Sequence, residues 1–423
     1  MSATTAPSPL PMSAEADELL LSSINTDEGH QDPYSRYEAL RRVGPAWRTG
    51  LGSVAITGYR DGMEVLRHPK LGREEPDMDL PERIGGRSPE RSAAGSSSML
   101  LLNPPDHTRI RSLVSRAFTP RRVEELRTTI GELLTPVLDR FAHQGGGDVI
   151  ADLALPFPIA VISELLGVPR EGNEHIHPLV HAVTALIDPA SDDATLAAGE
   201  AAGAELAVYF SELVEEKRSA PDDRLLSALI QVEESGDRLT VDELIINTIL
   251  LYAAGFETTS NLIGNGLRAL LAHPDQMDRL RSDPSLLPSA VLEMLRYDSP
   301  VQFNVRTALD AVELFGETFP RGSSFLVLQG SGNRDELAYD DASNFDVGRF
   351  AAGDAPQPLS FGWGAHHCLG AHLARAEGEI VFGELLARFD EIELDMTRLD
   401  GDVPRYRPSF TLRGLESLPV RVH

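Results

Sequence analysis

The chain has 423 residues, 42% of them hydrophobic and 24% charged, with 38 Lys and Arg against 65 Asp and Glu and a formal net charge of −27. These proportions are ordinary for a globular protein, and the acidity excludes a general nucleic-acid binder, which needs a basic footprint for phosphate. The single cysteine excludes an internal disulfide and any cysteine-rich zinc site, and fits a reducing, cytoplasmic setting.

The chain opens MSATTAPSPLPMSAEADELLLSS. No basic stretch precedes an apolar one, so it is not a secretory signal. Residues 1–25 are expected to form a flexible leader. No run approaches the ~20 apolar residues that span a bilayer, so neither a membrane anchor nor secretion is expected. Ser53–Thr57 is a strand-like run. Residues 73–98 are polar and rich in Gly, Pro and Ser, with Gly85, Gly86 and Gly95 among them. A loop of this length is a lid beside a binding site or a disordered surface segment, and composition leaves both open.

Glu174, His175, His177 and His181 then cluster in a polar helix start. Closely spaced histidines can hold a transition metal. With no cysteine nearby, a helix bordering a substrate entrance is the expected reading. Thr240 and Glu243 make a capping box that opens the longest helix, which runs to His273 before Pro274 stops it. Such a helix is ~50 Å long. Its middle, IINTILLYAAGF, is apolar on most faces and should cross the interior of one large domain, residues 26–423. Strand-like runs return at 301–308 and 323–330 and in the C-terminal tail. The expected fold class is mainly α with small β-sheets.

A lone cysteine is usually a buried small hydrophobe, but the neighbours of Cys368 point elsewhere. It sits in Phe361-Gly-Trp-Gly-Ala-His-His-Cys-Leu-Gly370, ahead of a helical stretch from Ala371 to Phe389. Gly362, Gly364 and Gly370 allow backbone angles closed to other residues and a close approach to a planar ligand. A helix N-terminus favours a thiolate. This segment resembles the signature of the cytochrome P450 family, Phe-Gly-x-Gly-x-His-x-Cys-x-Gly, at every fixed position. Trp363 and His367 fill its variable positions with bulky side chains.

Three further segments match the family in order and approximate spacing. Glu293-Met-Leu-Arg296 is similar to its Glu-x-x-Arg pair, which the resemblance joins to Arg349 and makes structural. Ala254-Gly-Phe-Glu-Thr-Thr259 resembles its oxygen-activation motif: Gly255 would leave room for a ligand, the Thr258 hydroxyl can bond back to Ala254 and loosen the helix, and Glu257 with Thr258 would be the acid–alcohol pair that delivers protons. Asn103-Pro-Pro-Asp-His-Thr-Arg-Ile-Arg111 resembles the segment opening the helix beneath the heme. Relatives often have alanine before Asn333-Arg-Asp, where this chain has Gly332.

The resemblance implies a P450 fold and heme b (iron protoporphyrin IX), with Cys368 as the axial iron ligand. His107, Arg111, Arg306 and His366 would hold the propionates, and Phe361 and Gly370 would shape the loop. Leu100, Leu250, Ala253, Gln302, Phe303 and Phe410 would line a mainly apolar pocket. That implies monooxygenation of a hydrophobic small molecule, by hydroxylation or epoxidation, in secondary-metabolite tailoring. The chain has no flavin or iron–sulfur segment, so electrons would come from NAD(P)H through a ferredoxin and its reductase. An acidic ferredoxin would dock on Arg109, Arg116, Arg121, Arg122 and Arg375. A monomer is expected. The rival readings are a peroxide-driven peroxygenase, a non-catalytic heme-thiolate sensor or electron carrier, and a structural protein without heme; the Glu257–Thr258 pair counts against the first two.

Overall fold

A computed structural model describes residues 10–75, 77–78, 98–188, 191–232, 239–399 and 401–423. The expected leader is a helix over much of its length: Ala14–Asn25 forms α1, and the Ser13 side chain caps it by accepting from Ala16 N. Ala16, Leu20 and Ile24 recur at helical spacing and are buried. Each buried Leu or Ile contributes about 1.5–3 kcal/mol, which outweighs the Ser- and Pro-rich composition ahead of it. Residues 1–9 lie outside the described residues, and so does most of 73–98, including all three of its glycines.

Helices α2 (Asp27–Gln31) and α3 (Pro33–Val43) follow. With α1 they cover one face of a five-stranded sheet of order β1-β2-β8-β5-β3. Its strands are β1 (Ala46–Arg48), β2 (Ser53–Ile56), β3 (Leu71–Gly72), β5 (Asn304–Ala308) and β8 (Ser324–Val327). β2 runs parallel to β8, and the other pairs are antiparallel. The register sets Arg306 opposite Phe325 and Thr307 opposite Gly72. β4 (Gly146–Asp148), β9 (Ile392–Leu394) and β10 (Pro419–Val422) form a second sheet, and β6 (Val312–Leu314) pairs with β7 (Glu317–Phe319).

The helical body comprises α4 (Tyr59–Arg67), α5 (Asp106–Val114), α6 (Pro120–His143), α7 (Pro156–Leu166), α8 (Asn173–Thr184), α9 (Asp193–Ser219), α10 (Leu225–Val232), α11 (Val241–Ala272), α12 (Pro274–Ser282), α13 (Leu287–Tyr297) and α14 (Ala371–Arg388). α11 begins with both halves of the Thr240–Glu243 capping box and ends at His273. It packs against α7, α9, α13 and α14. One hydrophobic cluster, from Met99 to Val422, takes in these helices and the second sheet.

Candidate heme site

The Cys368 loop is shaped by two glycines and one hydrogen bond. Gly362 and Gly364 have φ of 62° and 74°, a region that favours glycine. A Cβ on Gly364 would lie 2.5 Å from the Leu66 carbonyl, so the loop presses on the end of α4. Cys368 N donates to the Phe361 carbonyl at 2.8 Å and closes the turn, two residues before the Gly370 cap of α14. Cys368 is accessible at the surface of the loop. Burial pushes its thiol above the ordinary value, while the Gly370 N–H and the Arg111 charge pull the other way and do not prevail. The Gly370 N–H at the start of α14 pulls toward the thiolate, in the direction the sequence implied, without outweighing burial. A cation at the sulfur, such as iron, would make the thiolate.

Behind the loop lies a frame of buried charge. Glu293 and Arg296 on α13 are fully buried and paired by two bonds, Nε to Oε2 at 2.7 Å and Nη2 to Oε1 at 2.8 Å. Arg296 also donates to the carbonyls of Asn333, Ala342 and Asn344, so all five of its donors are used. Arg349 Nε reaches Glu293 Oε2 at 3.1 Å. Gly332 serves packing here: a Cβ would lie 2.7 Å from Leu359 and 3.3 Å from the Tyr59 backbone.

The expected propionate ligands gather. The rings of His107 on α5 and His366 in the loop are 4.3 Å apart between centroids. Arg306 on β5 is buried, and its Nη1 donates to Asn304 Oδ1 at 2.6 Å. Arg111 Nη2 donates to the His367 carbonyl at 2.5 Å. Burial, then the charges of Arg111, Arg73 and Arg306, lower the His107 pKa to about 4. Burial and the same arginines push His366 down further. Arg306 is lowered to about 10 by burial. Among the described residues, His107 Nε2, His366 Nε2 and Arg306 Nη2 are buried without a hydrogen-bond partner. A stranded buried donor costs about 1–3 kcal/mol, so this concentration of donors fits an anion with several acceptor oxygens. The two carboxylates of heme b meet that demand.

Arg73 belongs to this cluster, and no local signal in the sequence marks it. It follows β3, where Arg73 N donates to Asn103 Oδ1 at 2.7 Å and Asn103 Nδ2 returns a bond to the Arg73 carbonyl at 2.9 Å. Only the pairing of β3 with β5 brings it beside Arg306.

Along α11, Ala254 is exposed, and Leu250 and Thr258 are partly accessible, on a helix otherwise largely buried. Their spacing of four puts them on one face. Thr258 Oγ1 donates to the Ala254 carbonyl at 3.0 Å, yet the helix stays unbroken. Gly255 does not make room for a ligand: a Cβ there would lie 2.8 Å from Ile162, so the glycine lets α7 pack on α11. Glu257 is buried and receives Arg407 Nη1 at 2.8 Å, with His181 Nδ1 at 3.4 Å. Burial alone would raise its pKa; the His181 bond and the Arg407 charge outweigh that and hold it below the usual carboxylate range. Glu257 and Thr258 are thus occupied by separate partners.

The expected pocket divides. Leu100 and Leu250 keep accessible surface, and Ala253 is buried. Phe303 stacks on Phe410, centroids 4.3 Å apart, inside the packed cluster of Leu20, Tyr37 and Leu326. Gln302 is buried and donates to the Ser299 carbonyl and the Tyr34 hydroxyl. These three side chains face the N-terminal helices, where they fill the core.

Two further clusters of side chains can be placed. Among the described residues no group of three His, Cys, Asp or Glu side chains can hold a metal; His175 pairs with Glu205, His177 packs on Phe256 and His181 meets Glu257. Arg109 is committed to Glu243, at 2.5 Å, and so braces the α11 cap. Arg121 and Arg122 both pair with Glu125. Arg116 is exposed and has no ion pair among the described residues.

No helix among the described residues is long and apolar enough to cross a membrane. The family model for cytochrome P450 matches residues 28–405. Cytochrome P450 107B1 of Saccharopolyspora erythraea is 40% identical over 404 residues, covering 92% of this chain and 95% of the relative. The polyketide biosynthesis cytochrome P450 PksS of Bacillus subtilis is 36% identical over 395 residues, covering 92% and 93%. The solved structure of P450BioI in complex with hexadec-9Z-enoic acid ligated acyl carrier protein is 34% identical, with a TM-score of 0.85, covering 94% of this chain and all of that one. Its fold, its cysteine loop and these relatives together make this chain a member of the cytochrome P450 family, a heme enzyme of the monooxygenase type.

Proposed function

We propose that the enzyme inserts one oxygen atom from dioxygen into a mainly hydrophobic small molecule, by hydroxylation or epoxidation, as a tailoring step of secondary metabolism. The observation that carries this reading is the accessible face of α11, two apolar side chains and one hydroxyl, on a helix buried elsewhere. Leu100, outside α11, adds apolar surface. A surface of that composition gains by burying an apolar ligand. The polyketide role in the name of the Bacillus relative supports the same class.

Cys368 would hold the iron, and Arg73, His107, Arg111, Arg306 and His366 would hold the two carboxylates. Bound heme supplies the redox and oxygen chemistry. The Thr258 hydroxyl, now bonded to Ala254, would turn to hold a proton toward the accessible face. Glu257, one residue back, would resupply that proton from the Arg407 and His181 side. Electrons would come from NAD(P)H through a ferredoxin and its reductase, docking near Arg116 and Arg375 in a cytoplasmic setting.

The test is a screen of hydrophobic metabolites for a heme spin-state shift, followed by turnover with a surrogate ferredoxin and reductase. Thr258→Ala should keep the spin shift and release hydrogen peroxide in place of product, losing on the order of tenfold in product per NADPH. An unchanged ratio would remove Thr258 from proton handling. Turnover with hydrogen peroxide that outpaces the NADPH-driven reaction would favour the peroxygenase reading.

A further inference from the structure

Helix α8 carries three histidines with different occupations. His175 Nε2 is 3.1 Å from Glu205 of α9, with both side chains about half exposed. His177 sets its ring against Phe256, centroids 5.4 Å apart. His181 is 53% exposed, yet its Nδ1 lies 3.4 Å from a Glu257 carboxylate that is 3% exposed. One imidazole therefore reaches from solvent to the buried acid. The other partner of that acid, Arg407, has N–H donors and no acceptor. Asn261, which accepts from Arg407 Nη2 at 2.7 Å, does not titrate.

We propose that His181 feeds protons from solvent to Glu257. The ring takes a proton from water at Nε2 and gives up the one on Nδ1; the Nδ1–H bond breaks as an Oε2–H bond forms, so one proton enters and one leaves. No electrons move. The proposal rests on reading Glu257 and Thr258 as the proton-delivering pair, and it adds the residue through which solvent reaches them. Histidine suits the position because its charge changes near neutral pH and it has two exchangeable sites. Arg407 makes the transfer transient, since the carboxylate prefers to be charged beside it. A proton on Glu257 is released inward once the side chain swings away from Arg407.

The groups facing His181 are few. Glu257 comes from α11, Arg407 lies across the carboxylate on the C-terminal segment, and His177 sits one turn earlier on the same helix. Along α9, Gly199 packs against the Ala182 carbonyl, and Glu205 is taken by His175. His177 feels the same surroundings: burial lowers it, His181 lowers it further, and Glu257 raises it.

The experiment uses the full chain with its heme, a surrogate ferredoxin and reductase, and saturating oxygen. The wild type should oxidise NADPH more slowly as pH rises, as fewer protons reach the relay. His181→Gln keeps a hydrogen-bonding side chain without a titrating one; its rate should be flat with pH and lower on the order of tenfold at the acid end. His175→Gln should keep the wild-type profile. Independently, carbon-13 histidine NMR of the carbonmonoxy protein should show the His181 titration midpoint fall when Glu257 becomes Gln. A His181→Gln profile that still follows pH as the wild type does, or a His181 midpoint indifferent to Glu257→Gln, overturns the proposal and leaves His181 as a contact that docks α8. If Thr258→Ala diverts reducing equivalents to peroxide while His181→Gln does nothing, only this inference fails. If Thr258→Ala has no effect either, the reading of the pair fails with it.

Discussion

The two sides of the site are built differently. On the cysteine side, the buried frame is locked: Arg296 spends all five donors on Glu293 and three carbonyls, and Arg349 closes the same carboxylate. On the α11 side, Thr258 bonds only its own helix, Ala254 stays exposed, and Glu257 is shared between Arg407 and a half-exposed histidine. The first side is fixed because a buried ion left unpaired is expensive. The second keeps accessible surface, and its groups hold bonds that can be exchanged.

The largest effect should come from breaking the locked side. Arg296→Lys keeps the charge but loses the fork that satisfies Glu293 and three carbonyls at once. The expected cost is about 3–5 kcal/mol, read as loss of soluble, heme-loaded protein or a collapse of Tm. A variant with near wild-type Tm would mean the frame is not what holds the loop.

Gly255→Val tests the other side by packing. Its Cβ would meet Ile162 at 2.8 Å, so it should lose about 1–3 kcal/mol, and Ile162→Ala should restore part of that. Normal stability with loss of ligand binding would return Gly255 to the pocket role its motif implied.

Acid should weaken the cation cluster in the chain without heme. The His107 pKa is lowered to about 4, against ~6.5 when unfolded. Between these values the unfolded chain binds the extra proton. Stability is therefore complete above about pH 6.5 and falls toward pH 4, by up to ~1.4 kcal/mol per pH unit for this one group. His366 acts in the same sense. Urea unfolding against pH should show the slope, and His107→Phe should flatten it; a slope unchanged in that variant would place the proton elsewhere.

The smallest effects concern docking. Arg116→Glu should slow reduction by the ferredoxin several-fold at low salt, with the difference fading as salt rises. Arg109→Glu should instead loosen the α11 cap and lower stability by about 1 kcal/mol. Equal effects of the two on reduction would restore Arg109 to the docking surface.

The same contrast explains what could be read in the sequence. The cysteine loop, Glu293 with Arg296, and the capped span of α11 were legible because their contacts are local or follow from spacing. Arg73 was not, since only the β3–β5 pairing carries it to Arg306. Phe303 and Phe410 look like pocket residues by position, but the sheet turns them onto the N-terminal helices. The first of those helices, α1, was itself hidden by the Ser- and Pro-rich start. Gly255 carried the right residue for a different reason, contact between α7 and α11 rather than access to a ligand.

Cys368 is proposed to bind the heme iron as a thiolate although burial pushes its thiol pKa up. The direct measurement is the absorption spectrum of the reduced carbon monoxide complex, in the wild type and in Cys368→Ser. The wild type should show the red-shifted Soret band of a thiolate ligand, and Cys368→Ser should lose it while the chain remains folded. Cys368 is the only cysteine, so a Cys368→Ser protein that keeps the band would contradict the assignment outright.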